Sequence, residues 1–268
     1  MIVNVPSIKI AVATHKPYRM PADSIYLPLH VGAALHPDVC QEMQGDDTGD
    51  NISEKNPFLC ELTGLYWLWK NCDADYKGLV HYRRLLGSPN PVRLRNKDPF
   101  DRLVTERELE SLLGDVDVIV AKRRNYYIET VYDHYSHTFE AEQFDVCREI
   151  LTETKPEYVA SWDRLMRSRG AHIFNMFVMR ADLLEDYCSF MFEVLSELEK
   201  RIDPAQYDSF GARYLGRVSE RLLDPWLETN GYRYEELPVV NSEPIDWLAK
   251  GKGFLAAKFF GRKYEKSF

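Results

Sequence analysis

Short apolar runs of strand length alternate along this chain with longer stretches of helical spacing, and this alternation limits the fold more than any other feature. Strand-like runs occupy residues 9–14, 25–29, 77–84, 117–121, 173–179 and 232–240. Helical spacing covers residues 56–69, 182–198, 214–223 and 224–230. The pattern predicts an α/β fold with a central sheet, because each helix must bury its apolar stripe against another layer.

Residue types at the predicted helix ends support these boundaries. Asn56 before Pro57 is typical of a helix start, since the Asn side chain can cap free N–H groups and Pro fits the first helical position. Asp182 is predicted to cap a long helix in the same way. Asn230-Gly231 predicts a left-handed helix end.

Without a Gly/Ser/Pro-rich linker or a charge block to mark a division, the sequence predicts one domain over residues 1–248, followed by a basic, aromatic tail over residues 249–268. The chain shows neither a run of about 18 apolar residues nor a signal-peptide pattern at its start. Both observations predict a cytoplasmic protein. Its five widely spaced cysteines predict neither a disulfide framework nor a zinc site.

The charge is distributed unevenly, since the tail holds six basic residues and one acidic residue while the whole chain has a net charge of −8. Basic residues interleaved with aromatic ones predict a peripheral contact with an anionic membrane, on the inner face of the plasma membrane. A solvated terminal helix packed through its aromatic side chains is the alternative. The acidic remainder of the chain argues against a nucleic-acid partner.

A polar loop, residues 45–56, precedes the first predicted helix and is a candidate ligand loop. Its backbone N–H groups and hydroxyls could meet a phosphate at the helix start, although the carboxylates of Asp46, Asp47 and Asp50 would oppose an anion unless they face ribose, sugar or a cation. The alternative is a surface turn rich in Asp and Asn.

The segment His81-Tyr82-Arg83-Arg84 ends an apolar run and is a stronger signal. Ligands of open α/β sheets bind beyond the carboxyl ends of the strands, so these cations would lie where a diphosphate binds. Period-two alternation predicts His81 and Arg83 on one face and Tyr82 and Arg84 on the other. Ion pairing of both arginines within the protein is the alternative.

No metal site is predicted. Asp73-Ala74-Asp75 and Asp115-Val116-Asp117 precede apolar runs, so their carboxylates should lie at the edge of the sheet opposite the ligand. His134 and His137 would share a helix face, but no third ligand is evident. They follow an aromatic loop that contains Tyr126 and Tyr127, a combination that could hold a sugar.

The chain resembles a bacterial capsular and exopolysaccharide glycosyltransferase family long known only as a domain of unknown function, some members of which are galactofuranosyltransferases. The resemblance is carried by residues 47–53 with Asn56, 61–71, 78–84, 133–135 with His137, 174–177 and 220–222, and it extends over about residues 8 to 240. It implies a GT-A-type Rossmann-like sandwich that uses a nucleotide-diphospho-sugar, with a UDP-sugar as the expected donor and a lipid-linked glycan as the acceptor.

The resemblance also implies a set of binding residues. The exit of the first strand would contact the nucleotide, the polar loop would line the same pocket, and Arg83 or Arg84 would meet the diphosphate. The placement of the Asp-x-Asp pairs, independently of the resemblance, predicts that no metal cofactor is used. The expected binding residues are Thr14, His15, Lys16, Tyr18, Asp50, Asn51, Ser53, Asn56, His81, Arg83, Arg84, His134, His137 and Asn175.

An inverting transfer needs a carboxylate to remove the proton of the acceptor hydroxyl. Glu220, placed at the start of a helix, is the first candidate, followed by Asp208 and Asp133. Glu220 could instead act as a helix-dipole partner or pair with Arg221. Two other functions remain open: a non-catalytic subunit that binds a carbohydrate or a nucleotide sugar, and a nucleotidyltransferase, which would need well-placed metal carboxylates.

Overall fold

The computed structural model describes residues 6–243, so the tail predicted at 249–268 lies outside the described residues. No helix within residues 6–243 combines the length and the apolar character needed to cross a membrane. All five cysteines carry free thiols.

The strands are β1 Ile8–Thr14, β2 Tyr26–His30, β3 Gln44–Gly45, β4 Tyr76–His81, β5 Arg84–Leu86, β6 Val118–Ala121, β7 Arg124–Asn125, β8 Gly170–Ala171, β9 Phe177–Arg180, β10 Tyr234–Leu237 and β11 Val239–Asn241. The α-helices are α1 Asn56–Leu59, α2 Leu62–Asn71, α3 Glu106–Leu113, α4 Val131–Ser136, α5 Glu142–Thr154, α6 Val159–Arg167, α7 Ala181–Arg201, α8 Tyr214–Ser219 and α9 Leu223–Asn230. Short 3-10 turns cover Ala33–Leu35, Ser53–Lys55, Arg93–Arg95, Pro99–Arg102, Pro156–Tyr158, Pro204–Gln206 and Gly211–Arg213.

The main sheet is mixed, with the strand order β10-β6-β9-β4-β1-β2-β3. Strand β9 runs antiparallel to both of its neighbours, whereas the other neighbouring pairs along this order are parallel. The register places Ala13 beside His81 and Thr14 beside His30. The carboxyl ends of β1, β2 and β4 therefore meet at one edge of the sheet, as the sequence predicted.

Two hydrophobic clusters cover the opposite faces of this sheet, because successive residues of each strand point to opposite sides. One contains Ala11 and Leu79 with the apolar side chains of α2 and α7. The other contains Val12 and Val80 with those of α3. The fold is thus a mixed sheet flanked by helices, which confirms the predicted α/β class.

Several predicted strand boundaries were wrong. The run 77–84 is broken because β4 ends at His81 and the chain turns into β5, which pairs antiparallel with it through His81 and Arg84. The alternation predicted for residues 81–84 consequently does not apply. The run 232–240 forms two strands separated by Pro238, which has no N–H to offer a sheet ladder.

Two predicted helix caps were also wrong. Asn56 lies inside α1, and its Nδ2 donates to the carbonyl of Cys60 at 2.8 Å and to Thr63 Oγ1 at 3.1 Å. Asp182 lies in the first turn of α7, where it pairs with the N-cap residue Arg180. The left-handed end of α9 is confirmed, with Gly231 at φ 69°.

Candidate active site

A cluster of aromatic and cationic side chains occupies the edge of the sheet where β1 and β4 end. Tyr82, in the turn after β4, is buried, and its ring is packed edge-on against His15 and Tyr18, with centroids 5.4 Å and 5.0 Å away. Thr14 helps to shape this exit from β1, because its hydroxyl donates to the carbonyl of Lys16 at 2.7 Å. The two strand exits are therefore held together by Tyr82.

Two cations lie against the same ring. Lys16 Nζ is 5.4 Å from the Tyr82 centroid, and Arg83 Cζ is 5.3 Å from it, both within cation–π range. Among residues 6–243, neither side chain forms an ion pair with a carboxylate. The sequence left open that both arginines form ion pairs within the protein. For Arg83, the described residues show no such pair.

A third cation reaches this cluster from a distant segment. Burial lowers the pKa of His15, and the positive charges of Lys16, Arg83 and Arg213 lower it further. Arg213 is exposed, stands just before α8, and its Nε lies 3.0 Å from Cys60 Sγ. Sequence reasoning missed Arg213, since no local pattern distinguishes it from other surface arginines.

His81 and Arg84 both contact Phe174, in the turn before β9. His81 Nε2 hydrogen-bonds with the Phe174 carbonyl, and Arg84 Cζ lies 4.5 Å from the centroid of the Phe174 ring. Phe174 and Asn175 have φ values of 79° and 51°, a left-handed conformation that costs energy for residues with a Cβ. The turn therefore holds a strained shape next to two of the predicted site residues.

Asn175 helps to hold that turn from inside the protein. It is buried, its Nδ2 donates to Glu61 Oε1 at 2.7 Å, and its Oδ1 accepts from Ser219 Oγ at 3.2 Å. Burial lowers the pKa of Arg84 and the charge of Arg83 adds to this effect, whereas Glu220 and Glu61 oppose it. Asn175 therefore stabilises the turn from the interior of the protein, and its side chain does not face solvent.

The polar loop uses many of its side chains internally. Asp46 is fully buried and accepts from the backbone N–H groups of Gly32 and Ala33, each at 3.0 Å, and from the Ser53 hydroxyl. Ser53 is also fully buried and accepts from Ala34 N at 3.1 Å. These contacts fix the turn after β2. Because Ser53 is fully buried, it can affect a ligand only by shaping this turn.

The remaining loop residues lie closer to the surface. Asn51 Nδ2 donates to the carbonyls of Asp47 and Gly49, while exposed Asp50 accepts from Tyr66 Oη at 3.1 Å. A Cβ on Gly32, which has φ 73°, would lie 2.8 Å from Asn56 Oδ1. Asn56 therefore packs against the turn that follows β2.

The three predicted base carboxylates are not brought together. Glu220 follows the last residue of α8, so its predicted place at a helix start was wrong, and it is paired with Arg221. Asp208 is exposed and its Oδ1 accepts from Gly211 N at 2.6 Å. Asp133 is exposed in the first turn of α4.

His134 lies in α4 and His137 directly follows the last residue of that helix, and both contact Glu129. Glu129 is only 4% exposed, with Oε2 at 3.1 Å from His134 Nδ1 and Oε1 at 3.2 Å from His137 Nδ1. The Tyr126 ring is stacked on His134 with centroids 4.2 Å apart. Residues 6–243 contain no group of three His, Cys, Asp or Glu side chains arranged to hold a metal ion.

The two Asp-x-Asp pairs lie where the sequence predicted, at the amino ends of β4 and β6. Asp75 accepts from the backbone and the hydroxyl of Ser7, both at 2.8 Å. Asp117 accepts from Arg233 N at 2.9 Å. Both aspartates therefore have structural partners at the edge of the sheet opposite the cationic cluster.

A separate cavity of about 450 Å³ lies beside the edge strand β10. Its walls include Tyr232, Tyr234 and the ion pair between Arg164 and Glu228, whose charged atoms are 2.6 Å apart. None of the predicted site residues lines it. We place the candidate site at the cationic cluster instead, because strand exits and uncompensated charge converge there.

Comparisons with known proteins agree with this fold. A search of curated proteins finds no significant match. The structure of WbbM, a bifunctional glycosyltransferase in its apo state, matches with a TM-score of 0.78 and 31% identity over 88% of this chain. The chain spans only 45% of that protein. The profile of the DUF4422 family, a domain of unknown function, matches residues 9–231, and the chain therefore belongs to the DUF4422 family.

Proposed function

We propose that this protein is a glycosyltransferase that takes a sugar from a nucleotide-diphosphate donor bound at the carboxyl edge of its sheet. The observation that carries the proposal is the convergence of Lys16 and Arg83 on the Tyr82 ring, which also packs against His15. The charge of Arg213 adds to the positive charge that His15 experiences. The similarity to the structure of WbbM, a bifunctional glycosyltransferase, supports the same class of reaction.

The proposed role of the cations follows from the charge that develops during transfer. When the bond between the anomeric carbon and the diphosphate breaks, the electron pair leaves with the diphosphate oxygen. Arg83 can form paired hydrogen bonds to phosphate oxygens, and Lys16 supplies a compact positive charge. One aspartate of each Asp-x-Asp pair, Asp75 and Asp117, has a structural partner at the opposite edge of the sheet. We therefore assign neutralisation of the leaving group to these fixed cations.

The identity of the substrates is a further part of the proposal. The family resemblance supports a UDP-sugar, with UDP-galactofuranose as the first donor to test, and a lipid-linked capsular or exopolysaccharide glycan as the acceptor. We also propose that the protein works at the cytoplasmic face of the plasma membrane, where its basic tail would meet anionic lipid. The polysaccharide role rests on the resemblance alone.

A thermal-shift measurement with UDP and a panel of UDP-sugars tests the proposal. A ligand that binds only the folded state raises Tm by mass action, and we expect UDP to do so with and without a chelator. Arg83→Gln should weaken UDP binding at least tenfold, since it removes a charge-assisted contact. Arg95→Gln, at an exposed arginine on a separate turn, is the matched control.

Equal affinity of the Arg83 and Arg95 variants for UDP would refute the site. A requirement for manganese would refute the cation-only scheme. Binding of UDP-galactofuranose without any release of UDP, in the presence of candidate acceptors, would favour the non-catalytic binding subunit.

A further inference from the structure

A buried carboxylate contacts two histidines, one in the last turn of α4 and one directly after its last residue. Glu129 is 4% exposed, whereas the side chain of His134 is 18% exposed and that of His137 is 49% exposed. The side chain of Thr130 caps α4 by accepting from Asp133 N at 3.0 Å. With the helix start fixed in this way, residues three apart place both imidazoles against the same carboxylate.

The contact atoms determine which ring nitrogen is left for a ligand. An ionised carboxylate only accepts hydrogen bonds, so each imidazole must donate its Nδ1–H to Glu129. In the neutral ring, Nε2 then carries the free lone pair. His137 Nε2 has no hydrogen-bond partner within the described residues, and its ring is half exposed. His137 Nε2 is therefore a base that faces solvent, and the hydrogen bond from Nδ1 to Glu129 fixes the tautomer of the ring.

A chain of contacts connects this pair of histidines to the candidate donor site. Tyr126 is stacked on His134, and its hydroxyl accepts from Arg221 Nη2 at 3.3 Å. Arg221 pairs with Glu220, whose charge acts on the pKa of Arg84. The charge of Arg124 acts on the pKa values of both Arg84 and His134. Strand β6 runs parallel to β4, so its carboxyl end lies at the same edge of the sheet. Arg124 follows that end, and its Cζ lies 5.6 Å from the centroid of the Tyr126 ring, which is stacked on His134. The histidines therefore lie at the edge of the sheet that carries the cations.

We propose that His137, oriented by Glu129, is the general base that activates the acceptor hydroxyl. The assignment rests on the proposed glycosyltransferase function. The acceptor O–H proton moves to His137 Nε2 while the acceptor oxygen forms a bond to the anomeric carbon. The bond from that carbon to the diphosphate breaks, and its electron pair leaves with the diphosphate. Glu129 stabilises the imidazolium, which returns its proton to solvent.

The carboxylates that the sequence predicts as bases are less suited to this role. Glu220 is paired with Arg221, and its negative charge opposes the effect of burial, which lowers the pKa of Arg84. Asp208 is used in a turn. Asp133 is exposed, and within residues 6–243 its carboxylate has no hydrogen-bond partner that would orient it as Glu129 orients His137. Glu129 is a positioning residue because it acts only through the two imidazoles.

The test compares His137→Asn and Glu129→Gln with His36→Asn, a control at an exposed histidine in the loop after β2. Asn keeps a donor close to the position of Nδ1 but has no atom at Nε2. With UDP-galactofuranose and octyl galactoside, we expect His137→Asn to lower kcat at least a hundredfold with little change in KM. Glu129→Gln should lower kcat at least tenfold, and added imidazole should restore part of the activity of His137→Ala.

A second measurement does not depend on turnover. In ¹⁵N-histidine spectra of the UDP-saturated protein, assigned with His137→Asn, octyl galactoside should shift the Nε2 signal of His137. An unmoved signal, or wild-type kcat in His137→Asn, would overturn the assignment of the base. A protein whose Tm does not respond to UDP would instead overturn the proposed donor site, which separates the two failures.

Discussion

Lys16 Nζ lies 5.4 Å from the centroid of the Tyr82 ring, so a residue at the end of β1 is held against one at the end of β4. The two strands are neighbours in the sheet, and the backbone N–H of Tyr82 also donates to the carbonyl of Ala13 at 3.2 Å. Arg83 lies 5.3 Å from the same ring. The buried aromatic ring therefore sets the spacing of two cations that have no carboxylate partner among residues 6–243.

Tyr82→Leu should weaken UDP binding several-fold, because it removes the ring that orients Lys16 and Arg83 without changing their charge. A contact of this kind contributes about 0.5–1 kcal/mol per cation at exposed sites. Tyr82→Phe keeps the ring and is the matched control, with an expected affinity close to that of the wild type. Isothermal titration with UDP measures both. The idea fails if the Leu and Phe variants bind UDP equally well.

Asp46→Asn should lower the free energy of unfolding by about 2–3 kcal/mol, because an amide cannot accept all of the hydrogen bonds that the buried carboxylate receives. Gly32, Ala33 and Ser53 are the donors. Asp47→Asn, one residue on and exposed, should change stability by less than about 0.5 kcal/mol. Urea unfolding followed by circular dichroism gives the comparison, and equal midpoints in the two variants would contradict it.

The sheet was largely predictable from the sequence, because the runs that form β1, β2 and β6 are apolar and bounded by polar residues. The turn after His81 was not, since residues 82–84 continue the same alternation and only tertiary pairing reverses the chain. The start of β9 at Phe177, rather than at residue 173, was not predictable either. Asn tolerates a left-handed conformation, but nothing local marks Phe174 for one, and Asn175 is held by a distant partner, Glu61.

The candidate site was predictable only in part, because only some of its residues directly follow a strand. His81, Arg83 and Arg84 could be found because they follow a strand directly. Arg213 and Glu129 could not, because each is a single charged residue whose partners lie on other segments or one helical turn away. In the polar loop, composition indicated ligand binding, but the buried contacts of Asp46 and Ser53 assign part of that polarity to folding.

Glu220→Gln should destabilise the protein by about 3 kcal/mol, because Arg221 is buried and would lose its charged partner. Urea unfolding measures this loss. If His137 is the base, the folded variant should keep more activity than His137→Asn under the same conditions. Loss of all turnover in well-folded Glu220→Gln, with UDP binding intact, would return the role of base to Glu220.

Stability should also depend on pH through His172, a fully buried histidine that bridges two carboxylates. Its Nδ1 contacts Asp224 Oδ1, and its Nε2 lies 2.9 Å from Glu236 Oε1. Burial is the largest single influence and lowers the pKa, but the hydrogen bonds and charges of Asp224 and Glu236 together outweigh it and raise the pKa above 6.5. Both nitrogens can donate only in the imidazolium form.

A pKa that is raised in the folded state stabilises the protein fully below the unfolded value of 6.5, and this contribution is lost as the pH rises through the folded value. His172→Gln should therefore be less stable than wild type at pH 6, and the difference should narrow as the pH is raised from 6.5. Urea unfolding at pH 6 and pH 9 measures both differences. His36→Gln, at an exposed histidine, is the control. A difference that stays constant or widens with pH would show that His172 is held as the neutral ring, with only one carboxylate accepting from it.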